Sequence, residues 1–303
     1  MKLKTVSCSL VVASLLLMSF NLKGKKNPLG LPRFFIENFA EIPSGKVLLQ
    51  GETREVSSFY ISNHEVTNLE YAEFVHYVKK SGDVDLLAKV EVDSTGWRIP
   101  NAYCEPYVTY YHNHPAYENY PVVNVSHQAA QAYCDWLTQF NKAIFEKNNP
   151  GLEVIYKLPD HASWKRAADG NHADPVYSWA GVYLENAKGS KMANFNTLGA
   201  EHIYFNEESG KYEVLQPGES KYSYQPRVDN YDVTAPVLSY PPSDFGVYNL
   251  NGNVAEMIDV PGIAVGGSWK SAGYDIRNES IMRYEKPNPM VGFRVMAIVK
   301  QKN

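Results

Sequence analysis

Residues Phe245–Ser268, FGVYNLNGNVAEMIDVPGIAVGGS, gather the side chains best suited to chemistry in this chain. Asn249, Asn251, Asn253 and Glu256 offer oxygens, interleaved with Gly246, Gly252, Gly262, Gly266 and Gly267. Such oxygens can ligate a hard cation or bond to the backbone of turns. Glycine adds conformations and close approaches that a Cβ forbids. The stretch is a poor helix and a poor plain strand, so it reads as a built loop. Other chemistry is thinly represented. Of the eight histidines, His112 and His114 form the tightest pair, and an irregular loop around them points to a solvated or structural role. Outside the first twenty residues the only cysteines are Cys104 and Cys134. Their spacing alone decides neither a disulfide nor a pair of buried thiols. No G-x-S-x-G elbow, zinc motif or phosphate loop is present.

The elements that would position these residues can be placed by period and caps. Val47–Gln50 and Val56–Ile61 read as strands around a turn at Gly51-Glu52-Thr53. Thr67 or Asn68 caps a helix carrying Leu69, Tyr71, Phe74, Val75 and Val78 at helical spacing, stopped by Gly82. Residues 83–120 show no period, and Trp97–Pro100 reads as extended. Ser126 caps a second helix whose broad apolar face takes in Ala129, Tyr133, Trp136, Leu137, Phe140 and Ile144. Val154–Leu158 is a strand, and Asp160 caps a short helix ending at Gly170. From Asn171 to Asp244 little regular structure is expected, with an inserted hairpin or excursion over 201–227. Strands return at Ile263–Trp269 and Val291–Val299.

The chain has 303 residues, 44% hydrophobic, enough to bury a core. A net charge of −4 without a basic stripe gives no footprint for nucleic acid. Val6–Phe20, VSCSLVVASLLLMSF, follows Lys2 and Lys4 and has the pattern of a secretory signal or an uncleaved anchor. The run is short for a membrane span, which needs about 20 apolar residues. The expected organisation is therefore a signal or anchor at 1–20, a linker at 21–40 and a domain at 41–303.

Nine stretches in order resemble the sulfatase-modifying factor family, that of the formylglycine-generating enzymes. They include FYI at 59–61 with HEVTN at 64–68, YPVVNVSHQAAQAYCDWL at 120–137 and KLPDHASWKRAADG at 157–170. Tyr177-Ser178-Trp179, Ala193-Asn194-Phe195 and Thr234–Val237 follow. GVYNLNGNVAEM at 246–257, GGSW at 266–269 and GFRV at 292–295 complete the series. The resemblance implies an α/β (α+β), loop-rich formylglycine-generating-enzyme fold, related to C-type-lectin-like folds and poor in regular secondary structure. Family oxidases carry two copper-binding cysteines after the GGS strand. The matching positions here are Ser271 and Ile276, so the resemblance implies no copper and a catalytically degenerate member.

Two calcium sites of the family map better. One matches Asn249 and Glu256 by side chain, with the carbonyls of Gly252 and Val254. The other matches Asn194 and Asp229 by side chain, with the carbonyls of Phe195 and Tyr231. Trp136, Trp164 and Trp269 fall at packing positions, Arg294 at a structural bridge, and Glu65 reads as a buried or capping carboxylate.

The expectation is an exported protein of the bacterial periplasm or cell envelope, working as a binding or assembly module with an envelope protein partner. Its short Glu256–Gly266 connection resembles that of gliding-motility and type IX secretion lipoproteins. Tyr-rich segments 83–120 and 201–227 are the expected partner surface, and membrane contact is expected only through an uncleaved N-terminal anchor. An oxidase or non-haem iron oxygenase with a different metal set, and a lectin-like glycan binder, are the alternatives.

Overall fold

The computed structural model describes residues 29–99, 104–197, 203–214 and 233–301. Its strands form two small sheets and two hairpins. The first sheet has the order β1 (Phe39–Ile42), β4 (Phe59–Ser62), β12 (Met296–Gln301), β5 (Leu152–Lys157), all antiparallel. β2 (Gly45–Leu49) and β3 (Glu52–Val56) make a hairpin turned at Gln50 and Gly51. The expected strand Val56–Ile61 is therefore two elements. Val56 closes the hairpin, whereas Phe59–Ser62 pairs with β1 and β12.

Two long helices share one apolar cluster with the first sheet. α2 (Asn68–Ser81) starts at Thr67, whose hydroxyl accepts from Glu70 N while the Glu70 carboxylate accepts from Thr67 N, a reciprocal cap. Gly82, at φ 76°, ends it. α5 (His127–Asn148) starts at Ser126, whose Oγ accepts from Ala129 N at 3.0 Å. Tyr71, Phe74 and Val78 of α2 meet Ala130, Tyr133 and Phe145 of α5 in one apolar cluster with Tyr156 and Phe293. The apolar face expected for α5 is only partly covered. Phe140 stays 40% exposed and Ile144 36%.

Short helices occupy the linker and the stretch expected to be irregular: α1 (Arg33–Asn38), α3 (Val84–Val90) and α4 (Glu105–Tyr110). Trp97 ends a 3-10 turn rather than standing in an extended piece, and Trp97 and Tyr111 are fully buried. Much of the tyrosine in 83–120 thus serves packing. Cys104 and Cys134 are both buried free thiols, and burial pushes each above the ordinary thiol range.

α6 (His161–Asp169) is capped by Asp160, whose Oδ1 accepts from Ser163 N at 2.9 Å. It drives Trp164 into a second cluster with Ile42, Ile61, Val265 and Met296. Within the expected excursion, β6 (Ile203–Asn206) and β7 (Lys211–Val214) form a hairpin, and the rest of 201–227 lies outside the described residues. The second sheet has the order β10 (Ile281–Arg283), β9 (Ile263–Val265), β8 (Ala255–Met257), β11 (Val291–Gly292). Only its β8–β11 pair is parallel. The loop at 245–268 feeds this sheet.

Candidate functional site

The loop's shape comes from residues held in left-handed backbone. Asn249 (φ 52°) and Asn253 (φ 59°) adopt it, a conformation asparagine tolerates better than most. Gly252 (φ 77°) passes so close to residue 194 that a Cβ would stand 2.3 Å from the Asn194 carbonyl oxygen. These turns aim every asparagine side chain inward.

Three buried charges lie against them. Glu256 and Arg294 form a forked ion pair, with Nε and Nη2 each 2.5 Å from a carboxylate oxygen. Trp164 Nε1 adds a third bond to Glu256 at 2.6 Å. Arg294 also donates to the carbonyls of Ser62 and Tyr248, tying the first sheet to the loop. Glu65 is the second carboxylate. It accepts from Asn253 Nδ2 at 2.8 Å and Asn249 Nδ2 at 3.2 Å. All three charged residues are 0% exposed. Burial pushes the Glu65 carboxyl up to about 7, with Arg294 opposing and Glu256 adding to the shift. Burial also raises Glu256, against the pull of Arg294. Arg294 and Glu65 thus have the structural, buried roles expected of them.

Among the described residues, two oxygens in this cage lack a hydrogen-bond donor. Asn249 Nδ2 is fixed by Glu65 and the Val237 carbonyl, and Asn194 Nδ2 by the Val233 carbonyl and Asn253 Oδ1. The carbonyl oxygens, Asn249 Oδ1 and Asn194 Oδ1, are buried without partners. A buried orphan acceptor is unfavourable, and a hard cation is one group that would satisfy it. The donor chemistry therefore fits the calcium expectation at both asparagines. Glu256 already accepts from Arg294 and Trp164, so it would share its carboxylate with any ion. Gly252, Val254 and Phe195 lie in the same loops, whereas Asp229 and Tyr231 lie outside the described residues.

The turn after β9 holds Ser271 and Ile276. Ser271 Oγ accepts from Ser268 N at 3.0 Å and lies 3.2 Å from Ser268 Oγ. Ile276 is fully buried against Tyr177, Ala193 and Phe195. Asn251 joins this turn to the cage, donating to the Ile276 carbonyl at 2.7 Å and to Asn278 Oδ1 at 2.9 Å while accepting from Ser178 N. Sequence reasoning counted Asn251 among the loop's oxygens without a partner for it, and had no assignment for Asn278. The run of alternate asparagines was the available signal. Beside the turn, Tyr274 lines both a cleft of about 400 Å³ and a groove of about 790 Å³ that also touches Tyr183 and Asn196.

The histidine pair divides between two jobs. His112 Nδ1 lies 3.1 Å from Asn68 Oδ1, and burial lowers its pKa to about 4. His114 Nδ1 accepts from Ala116 N. Among the described residues no group of three His, Cys, Asp or Glu side chains is placed to hold a metal ion.

Fold and site together define a loop-rich α+β domain organised by a buried asparagine–carboxylate–arginine cage. The sulfatase-modifying factor enzyme 1-like domain matches residues 36–299, and the chain belongs to that family. It is 26% identical over 247 residues to the formylglycine-generating enzyme of Mus musculus, covering 73% of this chain and 52% of that one. Against the formylglycine-generating enzyme of Thermomonospora curvata it is 23% identical over 293 residues, covering 86% and 81%. The solved structure of PvdO from Pseudomonas aeruginosa shares the fold, with a TM-score of 0.53, 19% identity and coverage of 86% and 93%. The chain spans about half the length of the mammalian relatives it matches, 52% and 48% of them.

Proposed function

We propose that this chain is an exported, non-catalytic member of the family that works as a binding or assembly module in the bacterial envelope. One observation carries the reading. The positions matching the oxidases' cysteines hold Ser271, bonded to Ser268, and Ile276, sealed in an apolar cluster. Thiolates suit cuprous copper, and a neutral hydroxyl and an alkyl chain do not. The cleft and groove around Tyr274 then supply a surface for a partner, protein or glycan. Purified protein is expected to carry far less than one equivalent of copper or iron. It should consume no oxygen when given a cysteine-containing peptide and a thiol reductant. Stoichiometric copper or iron together with oxygen uptake would overturn the reading.

Calcium belongs to the same proposal, as a structural ion. Asn249 and Glu256 would hold it, with the carbonyls of Gly252 and Val254, and Asn194 would serve a second site. The orphaned oxygens of Asn249 and Asn194 support this. A calcium excess of about tenfold over Kd would add ~1.4 kcal/mol per site. The melting temperature should rise by roughly 3–5 °C in calcium and fall back in chelator. A melting temperature indifferent to both removes the ion from the account.

A further inference from the structure

The part of α5 that the core leaves uncovered is organised. Trp136, Phe140 and Ile144 are spaced by four residues and share one helix face. Tyr77 of α2, 51% exposed, joins them. Ring centroids lie 5.1 Å apart for Trp136–Phe140, 6.0 Å for Tyr77–Trp136 and 6.4 Å for Tyr77–Phe140. Exposed Lys147 follows Ile144 by three residues, and exposed Lys80 follows Tyr77 by three. Beside the row lies a small cleft of about 80 Å³ with Phe34, Trp136, Leu137 and Phe140 in its apolar walls and Glu70 and Glu73 among its polar ones. Trp136 keeps its Nε1 buried and offers only ring carbon, whereas the Tyr77 phenol is exposed. Rings of this kind backed by aliphatic side chains and flanked by lysines suit a membrane–water interface, where one end is apolar and the other wet.

Where the chain enters this face decides its occupant. The Leu29 carbonyl accepts from Asn149 Nδ2 at 2.7 Å, at the C-terminal cap of α5. Phe34 packs on Phe145 nearby, with ring centroids 5.9 Å apart. The apolar run Val6–Phe20 ends nine residues before Leu29, with eight residues in between that include Lys23, Lys25 and Lys26. A chain reaches at most ~3.6 Å per residue, so those eight residues keep Leu29 within about 30 Å of the run. Anionic headgroups attract lysines at that position. A soluble partner has no such tether to this end of the helix.

We propose that the face formed by Tyr77, Trp136, Phe140 and Ile144 rests on an anionic lipid surface, held there by the N-terminal run. The proposal rests on reading Val6–Phe20 as an uncleaved anchor. The test uses the full chain with vesicles of phosphatidylcholine and phosphatidylglycerol, the former brominated in its acyl chains. Of the five tryptophans, Trp97 and Trp164 are fully buried and Trp179 and Trp269 sit on loops outside this face. The protein should float with the vesicles, and bromine should quench about one fifth of its tryptophan emission. Trp136→Phe should float equally and lose that quenching, and Phe140→Glu should float with the quenching of Trp136 abolished. Flotation with equal quenching in Trp136→Phe and the parent, or with none in either, overturns the membrane face and leaves the anchor standing. Failure to float overturns both. A stable dimer in detergent that shields Trp136 from aqueous quenchers assigns the face to a second copy and also overturns the proposal.

Discussion

Replacing Arg294 with methionine should destabilise the fold by about 3–5 kcal/mol, the usual result of stripping a buried carboxylate of its cation. For a domain of this size that is a fall in melting temperature on the order of 10 °C. The reason lies in what the guanidinium does. It forks onto Glu256, and it also donates to Ser62 and Tyr248 from the strand and loop on either side. Methionine fills much of the volume and none of these bonds. Glu256 would remain at 0% exposure with only Trp164 donating to it. The companion Arg294→Met/Glu256→Leu should recover part of the loss, because it removes both charges together. Thermal unfolding of the two variants decides the matter. A loss below about 1 kcal/mol for Arg294→Met would mean that the cage does not hold the loop.

Glu65 should make stability fall as pH rises, the reverse of ordinary carboxylate behaviour. Its folded carboxyl is raised from the usual 4.5 to about 7, because burial outweighs Arg294, with Glu256 opposing ionisation. Between those values the folded state binds more proton than the unfolded one, so stability declines with pH. The contribution is complete below 4.5 and is lost as pH climbs through about 7. A shift of that size is worth about 3 kcal/mol. The expected result is a stability difference between parent and Glu65→Gln that changes steadily across this window in metal-free buffer. Denaturant titrations at several pH values measure it, and a constant difference would refute it.

The long elements were legible because each carries its own start and period. Thr67, Ser126 and Asp160 cap helices whose first buried residues follow at once. α1, α3 and α4 were missed for a physical reason. Six or seven residues make fewer than two turns, too few for a 3.6-residue period to show. The misjoined strand at Val56–Ile61 failed differently, since nothing local marks Ser57 and Ser58 as the point where the chain changes sheets. At the site, the loop itself announced its glycines and asparagines. Arg294 and Glu65 were singled out, but not which groups they meet, because Glu65 is 188 residues from Asn253 and Arg294 is 38 from Glu256. Phe140 and Ile144 show the opposite error, apolar period taken for burial.

The bond from Asn251 to residue 276 ends on a main-chain carbonyl, not on a side chain. The Ser271 carbonyl is likewise fastened, accepting from Asn196 N. The turn from 268 to 276 is thus clamped from outside through its peptide groups, with the Ser271 hydroxyl adding a bond from within. Scaffold and reactive content are therefore separable in this molecule. A new side chain at 276 would meet a sealed apolar pocket, and one at 271 would have to replace the bond to Ser268 N, while the two outside clamps stay in place.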